Sequence, residues 1–146
     1  MEDLILVVNC SSSLFKATIL NSRSGDIVLS CLAAKLGQAD AYITFNRRGN
    51  RSTISLAEQP DHHGAAAEVR EATRILGTER RIRAIAHRVV HGGEHYSDSV
   101  RIDDKVIAAL EACIALAPLH NPANLTGIRA AQAAFPGLPN VAGFDT

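Results

Sequence analysis

The sequence has no net charge, no Cys-x-x-Cys pair, no apolar run of membrane-spanning length and no internal repeat. Fifteen basic and fifteen acidic side chains cancel, which removes the electrostatic pull that nucleic-acid and anionic-membrane binders normally show. Neither nucleic acid nor membrane is therefore expected as a partner. Cys10, Cys31 and Cys113 are odd in number and widely spaced, which speaks against a zinc ribbon or a disulfide framework and for reduced thiols in the cytoplasm. The apolar start Leu4–Val8 is short and flanked by Glu2 and Asp3, the wrong charge for a signal peptide.

What is present reads as one packed domain. A chain of 146 residues hides roughly 70% of its unfolded surface on folding. Its apolar share of 47% and charged share of 21% suggest neither disorder nor a fibrous repeat. Leu4–Val8 has the composition of a strand buried on both faces. Lys16–Leu20 and Ile27–Leu32 follow across a turn at Asn21–Gly25, which predicts an antiparallel meander. Tyr42–Phe45 and Ser52–Leu56 bracket a hairpin connection at Asn46–Asn50, giving five strands in the first sixty residues. A helix is expected from Pro60-Asp61, through the helix formers of Ala65–Leu76, to a stop at Gly77.

Arg80 and Arg81 then read as a solvated loop before a strand at Ile82–His87. The apolar spacing over Asp103–Leu116 predicts a helix with aspartates at its positive end. A further helix is expected from about Asn121 to Phe135, and a last strand at Val141–Phe144. The order of elements predicts an α/β fold, a mixed sheet with flanking helices.

Four segments could carry chemistry. Asn9-Cys10-Ser11-Ser12-Ser13 is a turn rich in hydroxyls and amides, followed by Lys16. It could cradle phosphate oxygens, or be serine-rich for conformational reasons alone. In His87-Arg88-Val89-Val90-His91-Gly92-Gly93-Glu94, Arg88 offers a planar fork for a carboxylate or phosphoryl group. The spacing of His87, His91 and His95 would line a helix face, but Val89-Val90 and Gly92-Gly93 oppose a helix, so satisfied polar or loop histidines are the simpler reading than a metal site. His120, in Pro118-Leu119-His120-Asn121-Pro122, could cap a helix or face solvent. Asp145 stands at the end of the last strand, the edge where ligands gather in open α/β sheets, or could cap a following helix.

Taken together and in order, these segments resemble those of the acetate kinases and their propionate kinase relatives, over essentially the whole chain from Leu4 to Thr146. The family's loop reads Asn-x-Gly-Ser-Ser-Ser-x-Lys. Asn9, Ser12, Ser13 and Lys16 match it, whereas Ser11 stands in place of the glycine and Leu14 in place of the third serine. If that glycine position requires positive φ, Ser11 would be strained by roughly 1–2 kcal/mol, and the Leu14 exchange removes a possible donor to phosphate.

The resemblance implies an acetate and sugar kinase, Hsp70 and actin type of domain, ribonuclease H-like. It implies reversible transfer of the ATP γ-phosphoryl group to acetate, with Mg²⁺, giving acetyl phosphate and ADP. On that model Arg88 binds the acyl substrate, and Val90 and Leu119 line its methyl pocket. His120 steadies the transferring phosphoryl group, Asp145 and Asn9 organise metal or substrate, and Lys16 with Ser12 and Ser13 meets nucleotide phosphate. Residues 1–146 would be the amino-terminal domain alone, without the second domain that largely holds adenosine in the family. Little activity is then expected of the isolated chain, which would act with a separate chain supplying the second domain or, alternatively, persist as a non-catalytic, partner-binding half. Acetate and propionate are not distinguished.

Overall fold

The computed structural model describes residues 2–89, 100–112 and 121–144. The strands Leu4–Cys10 (β1), Phe15–Asn21 (β2), Ile27–Ala34 (β3), Tyr42–Arg47 (β4) and Asn50–Ser55 (β5) form the expected antiparallel meander. A helix at His62–Ile75 (α1) and a 3₁₀ turn at Glu79–Arg81 lead into Ile82–Val89 (β6), which lies parallel to β1. Val100–Arg101 (β7), Asp104–Ala112 (α2), Asn121–Ala134 (α3) and Asn140–Phe144 (β8) complete the described elements. β8 runs parallel to β6, β7 antiparallel to β8, and the sheet order is β5-β4-β3-β2-β1-β6-β8-β7.

Local chemistry sets the helix ends. Asp61 caps α1, its carboxylate accepting the Gly64 N–H at 2.8 Å, and Gly77 leaves the helix at φ 72°. Asp103 caps α2 through the Val106 N–H at 2.9 Å. The β4–β5 hairpin turns on Arg48 and Gly49, both at positive φ (52° and 83°), as two-residue hairpin loops require.

The three described helices pack on one face of the sheet. Leu4, Leu6 and Val8 of β1, Phe15, Ala17 and Ile19 of β2, and Ile85 of β6 meet Ala65 and Val69 of α1 and Ala130 and Ala131 of α3 in the main core. Ile102, Val106, Leu110, Ile128 and Ala142 form a second cluster under α2. β1 is therefore not buried equally on both faces as its composition suggested: Leu4, Leu6 and Val8 are buried, while Ile5 and Val7 on the other face are half-buried. No described helix is long and apolar enough to cross a membrane.

The arginine-rich stretch also departs from expectation. It is solvated as expected, with no residue of Glu79–Arg81 buried, but it is a 3₁₀ turn and a strand start rather than a loop. Arg81 Nε donates to the Glu2 carbonyl at 2.9 Å, Arg83 pairs with Asp3, and Arg70 reaches back to Glu79. These pairs link the segment to the start of β1 and the last turns of α1.

Candidate active site

The carboxyl ends of β1, β6 and β8 lie on one edge of the sheet because all three strands are parallel. Side chains alternate between the faces of a strand, and the buried pair Val8–His87 fixes which face is which. The next step along each strand carries Asn9 and Arg88 onto the face away from the helices. Lys16 of β2 lies opposite Asn9, and Gly143 of β8 opposite Arg88. A row of Lys16, Asn9, Arg88 and Gly143 thus crosses four neighbouring strands, with the first three side chains exposed. Strands stand about 4.8 Å apart, so the Lys16 and Arg88 backbones are separated by about 10 Å. Gly143 contributes no side chain to this row.

At the same edge the β1–β2 turn carries Ser12 and Ser13, both exposed. Three carbonyls of this stretch meet groups from elsewhere in the chain. The Cys10 carbonyl accepts from Asn124 Nδ2 at 3.3 Å, the Ser11 carbonyl lies 2.8 Å from His62 Nε2, and the Ser13 carbonyl accepts the Leu36 N–H at 3.0 Å. The Leu14 carbonyl accepts the Ser11 N–H at 3.0 Å. A carbonyl only accepts, so His62 must carry its proton on Nε2. The Ser12 and Ser13 N–H groups have no acceptor among the described residues, and they are the groups an anion could take.

Ser11 does not carry the strain that a glycine-requiring position would impose. Among the described non-glycine residues only Lys35 and Arg48 have positive φ. Leu14 projects outward, 39% exposed, where the matching serine would offer a hydroxyl.

Behind Arg88, His87 is buried, with Nε2 2.8 Å from Asn140 Oδ1. Asn140 Nδ2 donates to the Leu138 carbonyl at 3.0 Å, so its oxygen faces His87 and the imidazole donates. Burial pushes the His87 pKa down to about 4, opposed by that hydrogen bond. His87 is therefore a neutral, satisfied histidine tying β6 to β8. Burial likewise raises the Cys10 and Cys31 thiols to about 12. Both stay protonated at neutral pH and are unpaired with other cysteines.

Among the expected site residues, Asn9, Ser12, Ser13, Lys16 and Arg88 come together on this edge. Val90, Leu119, His120 and Asp145 lie outside the described residues, as do His91, His95 and Cys113. Reading the motifs missed His62, Asn124 and Asn140, whose roles arise from packing. Among the described residues no three His, Cys, Asp or Glu side chains converge on a metal position. The oxygen donors at the edge, the Asn9 amide and the serine hydroxyls, suit a hydrated Mg²⁺ carried on phosphate rather than an all-protein cage. A groove of ≈ 410 Å³ between β4–β5 and α1, lined by Leu29, Phe45, Ile54 and Ile75, lies away from this edge.

Comparison with known proteins agrees with the motifs. The family model described as the acetokinase family matches residues 4–146. Acetate kinase 1 of Neisseria meningitidis serogroup B is 54% identical over 145 residues, covering 99% of this chain and 36% of the relative. Acetate kinase of Chromobacterium violaceum is 47% identical over 146 residues, covering 100% and 36%. A crystal structure of a propionate kinase from Francisella tularensis superposes with a TM-score of 0.92 at 36% identity, covering 98% of this chain and 37% of that one. Porphyromonas gingivalis acetate kinase gives 0.82 at 34% identity, covering 99% and 37%. The chain thus spans just over a third of the length of these relatives, and its fold is of the acetate and sugar kinase, Hsp70 and actin type. With the motif edge, the sheet order and the sequence identity in agreement, this chain belongs to the acetokinase family.

Proposed function

We propose that residues 1–146 are the amino-terminal domain of an acetate kinase, supplying the acyl-substrate side of a site that transfers the γ-phosphoryl group of ATP to acetate. The observation that carries this reading is the exposed row Lys16, Asn9 and Arg88 beside the exposed Ser12 and Ser13, whose N–H groups have no acceptor among the described residues. Phosphoryl transfer makes few covalent demands on a protein. It needs acceptor and donor held in line and the charge on the transferring group offset.

In this reading Arg88 grips the acetate carboxylate with its planar fork, and Val90 and Leu119 enclose the methyl group. Lys16 and the Ser12–Ser13 amides meet phosphoryl oxygens, and His120 donates to the transferring group. Asp145 and Asn9 orient the substrate. Bound Mg²⁺ would offset phosphate charge, with the Asn9 amide oxygen and Asp145 as its protein contacts. A further domain, in this chain's own protein or in a separate chain, would hold most of the nucleotide. The working compartment is the cytoplasm, and propionate is the alternative acyl substrate.

The test is a chimera in which this chain replaces the matching first third of the Neisseria acetate kinase 1. Acetyl phosphate formation is trapped with hydroxylamine. Activity is expected with the intact graft, and a fall of about 10²–10³-fold in kcat/KM with Arg88→Ala, the usual loss when one charge-stabilising group is removed. A folded chimera that turns over equally well with Arg88→Ala would overturn the assignment.

A further inference from the structure

The β1–β2 turn is held by two side chains far away in sequence. His62 is the first residue of α1 and 51 positions from Ser11, and Asn124 of α3 is 114 positions from Cys10. Both are buried, at 8% and 5% exposure. Each donates to a carbonyl of the turn: the Cys10 carbonyl shares its planar peptide with the Ser11 N–H, and the Ser11 carbonyl shares its with the Ser12 N–H, which points the opposite way.

Neither donor is free to drift. Asp61 caps α1 immediately before His62. The first turn of α1 is pressed against the preceding chain so closely that a Cβ on Gly64 would lie 1.9 Å from the Gln59 carbonyl oxygen. The imidazole also stands edge-on to the buried Phe15 ring, with centroids 6.4 Å apart at 74°. α3 approaches just as tightly, since a Cβ on Gly127 would meet Cys10 Sγ at 2.5 Å.

We propose that His62 is a positioning residue that clamps the Ser11 carbonyl inward and so keeps the N–H of the same planar peptide, that of Ser12, turned to the opposite side for a phosphoryl oxygen, while Asn124 steadies the preceding peptide through the Cys10 carbonyl. The physical ground is the alternative arrangement. Rotation of a peptide in the turn would aim a carbonyl at the ligand, replacing attraction by repulsion, and successive outward N–H groups make an anion-binding concavity only while each peptide keeps its orientation. The clamp rests on the reading of this turn as a phosphoryl site and names what gives the site its shape.

The experiment titrates inorganic phosphate into the isotope-labelled chain and follows the backbone amides of Ser12 and Ser13. The variants are His62→Phe, which keeps the ring and removes the donor, His62→Gln, which returns a donor, and Asn124→Leu. The expected result is a response at the Ser12 amide in the unmodified chain, weakened roughly three- to tenfold by His62→Phe, as loss of one orienting hydrogen bond implies, and less by Asn124→Leu, which frees only the neighbouring peptide. His62→Gln should recover most of it, with amide signals of β3 and β4 unchanged throughout. Equal phosphate response in His62→Phe and the unmodified chain would overturn the clamp while leaving the phosphoryl reading standing. Equal weakening by Phe and Gln would also overturn it, since packing rather than the donor would then be responsible. No response in the unmodified chain would overturn the phosphoryl reading itself, and the clamp with it.

Discussion

Two hairpin turns of the same sheet are held in opposite ways. The β4–β5 turn relies on its own residues: Arg48 and Gly49 take positive φ, the Asn46 side chain accepts the Gly49 N–H at 3.1 Å, and a Cβ at Gly49 would meet nothing. The β1–β2 turn has no residue at positive φ, and three of its carbonyls are fixed by α1, by α3 and by the segment after β3. A turn that only reverses the chain can be specified locally. A turn that must present amides in one orientation needs support from elsewhere in the fold.

Substitutions beneath the β1–β2 turn should accordingly cost more than those in the other turn. Gly64→Ala is expected to have the largest effect, because its Cβ meets a backbone oxygen that cannot swing away. A loss of about 3 kcal/mol, at the upper end of ordinary overpacking, corresponds to a fall of roughly 6–12 °C in Tm for a chain of this size. Calorimetry should find Gly49→Ala milder, at about 1–2 kcal/mol from left-handed strain alone.

Acid should come next. The folded pKa of His87, about 4, lies below its ordinary value near 6.5, so between these pH values the unfolded chain binds more protons and stability rises with pH. This contribution is complete above pH 6.5 or so and is lost on descending toward pH 4, about 3 kcal/mol as an upper bound. Denaturant midpoints measured across that window should lose much of this slope in His87→Gln.

Gly127→Ala pushes α3 off Cys10 and should cost about 1–2 kcal/mol, partly offset by the better helix propensity of alanine. The smallest change goes the other way. Arg48→Asn suits the φ of 52° and should stabilise by about 0.5 kcal/mol, readable as a small rise in the urea midpoint with an unchanged slope.

Much of the fold was legible because it is encoded locally. The turn residues Asn21–Gly25 between β2 and β3, the Asn and Gly residues around β4–β5, the Asp61 cap and the Gly77 stop each carry their own signal, and each lies where expected. β7 was not foreseen, since Val100–Arg101 is a strand only by pairing with β8. The uneven burial of β1 also depended on tertiary packing, on which face the helices cover.

At the site, Asn9, Lys16 and Arg88 were legible as motif residues, but their alignment into one row depends on strand register. His62 gave no motif signal, being one of six histidines and adjacent to His63. Its distinction comes from meeting Ser11 after 51 residues of chain. Asn140 similarly looks like an ordinary strand-start asparagine until β8 is set beside His87.

The central claim, that the serine turn and the Arg88 row form one site for an acyl phosphate, is tested most directly by titrating acetyl phosphate into the labelled chain. The account predicts that the amides of Ser12, Ser13, Arg88 and Gly143 respond with one common dissociation constant, with Arg48 and Gly49 unmoved. Separate constants for the turn and the Arg88 strand, or responses centred on the β4–β5 hairpin, would contradict it.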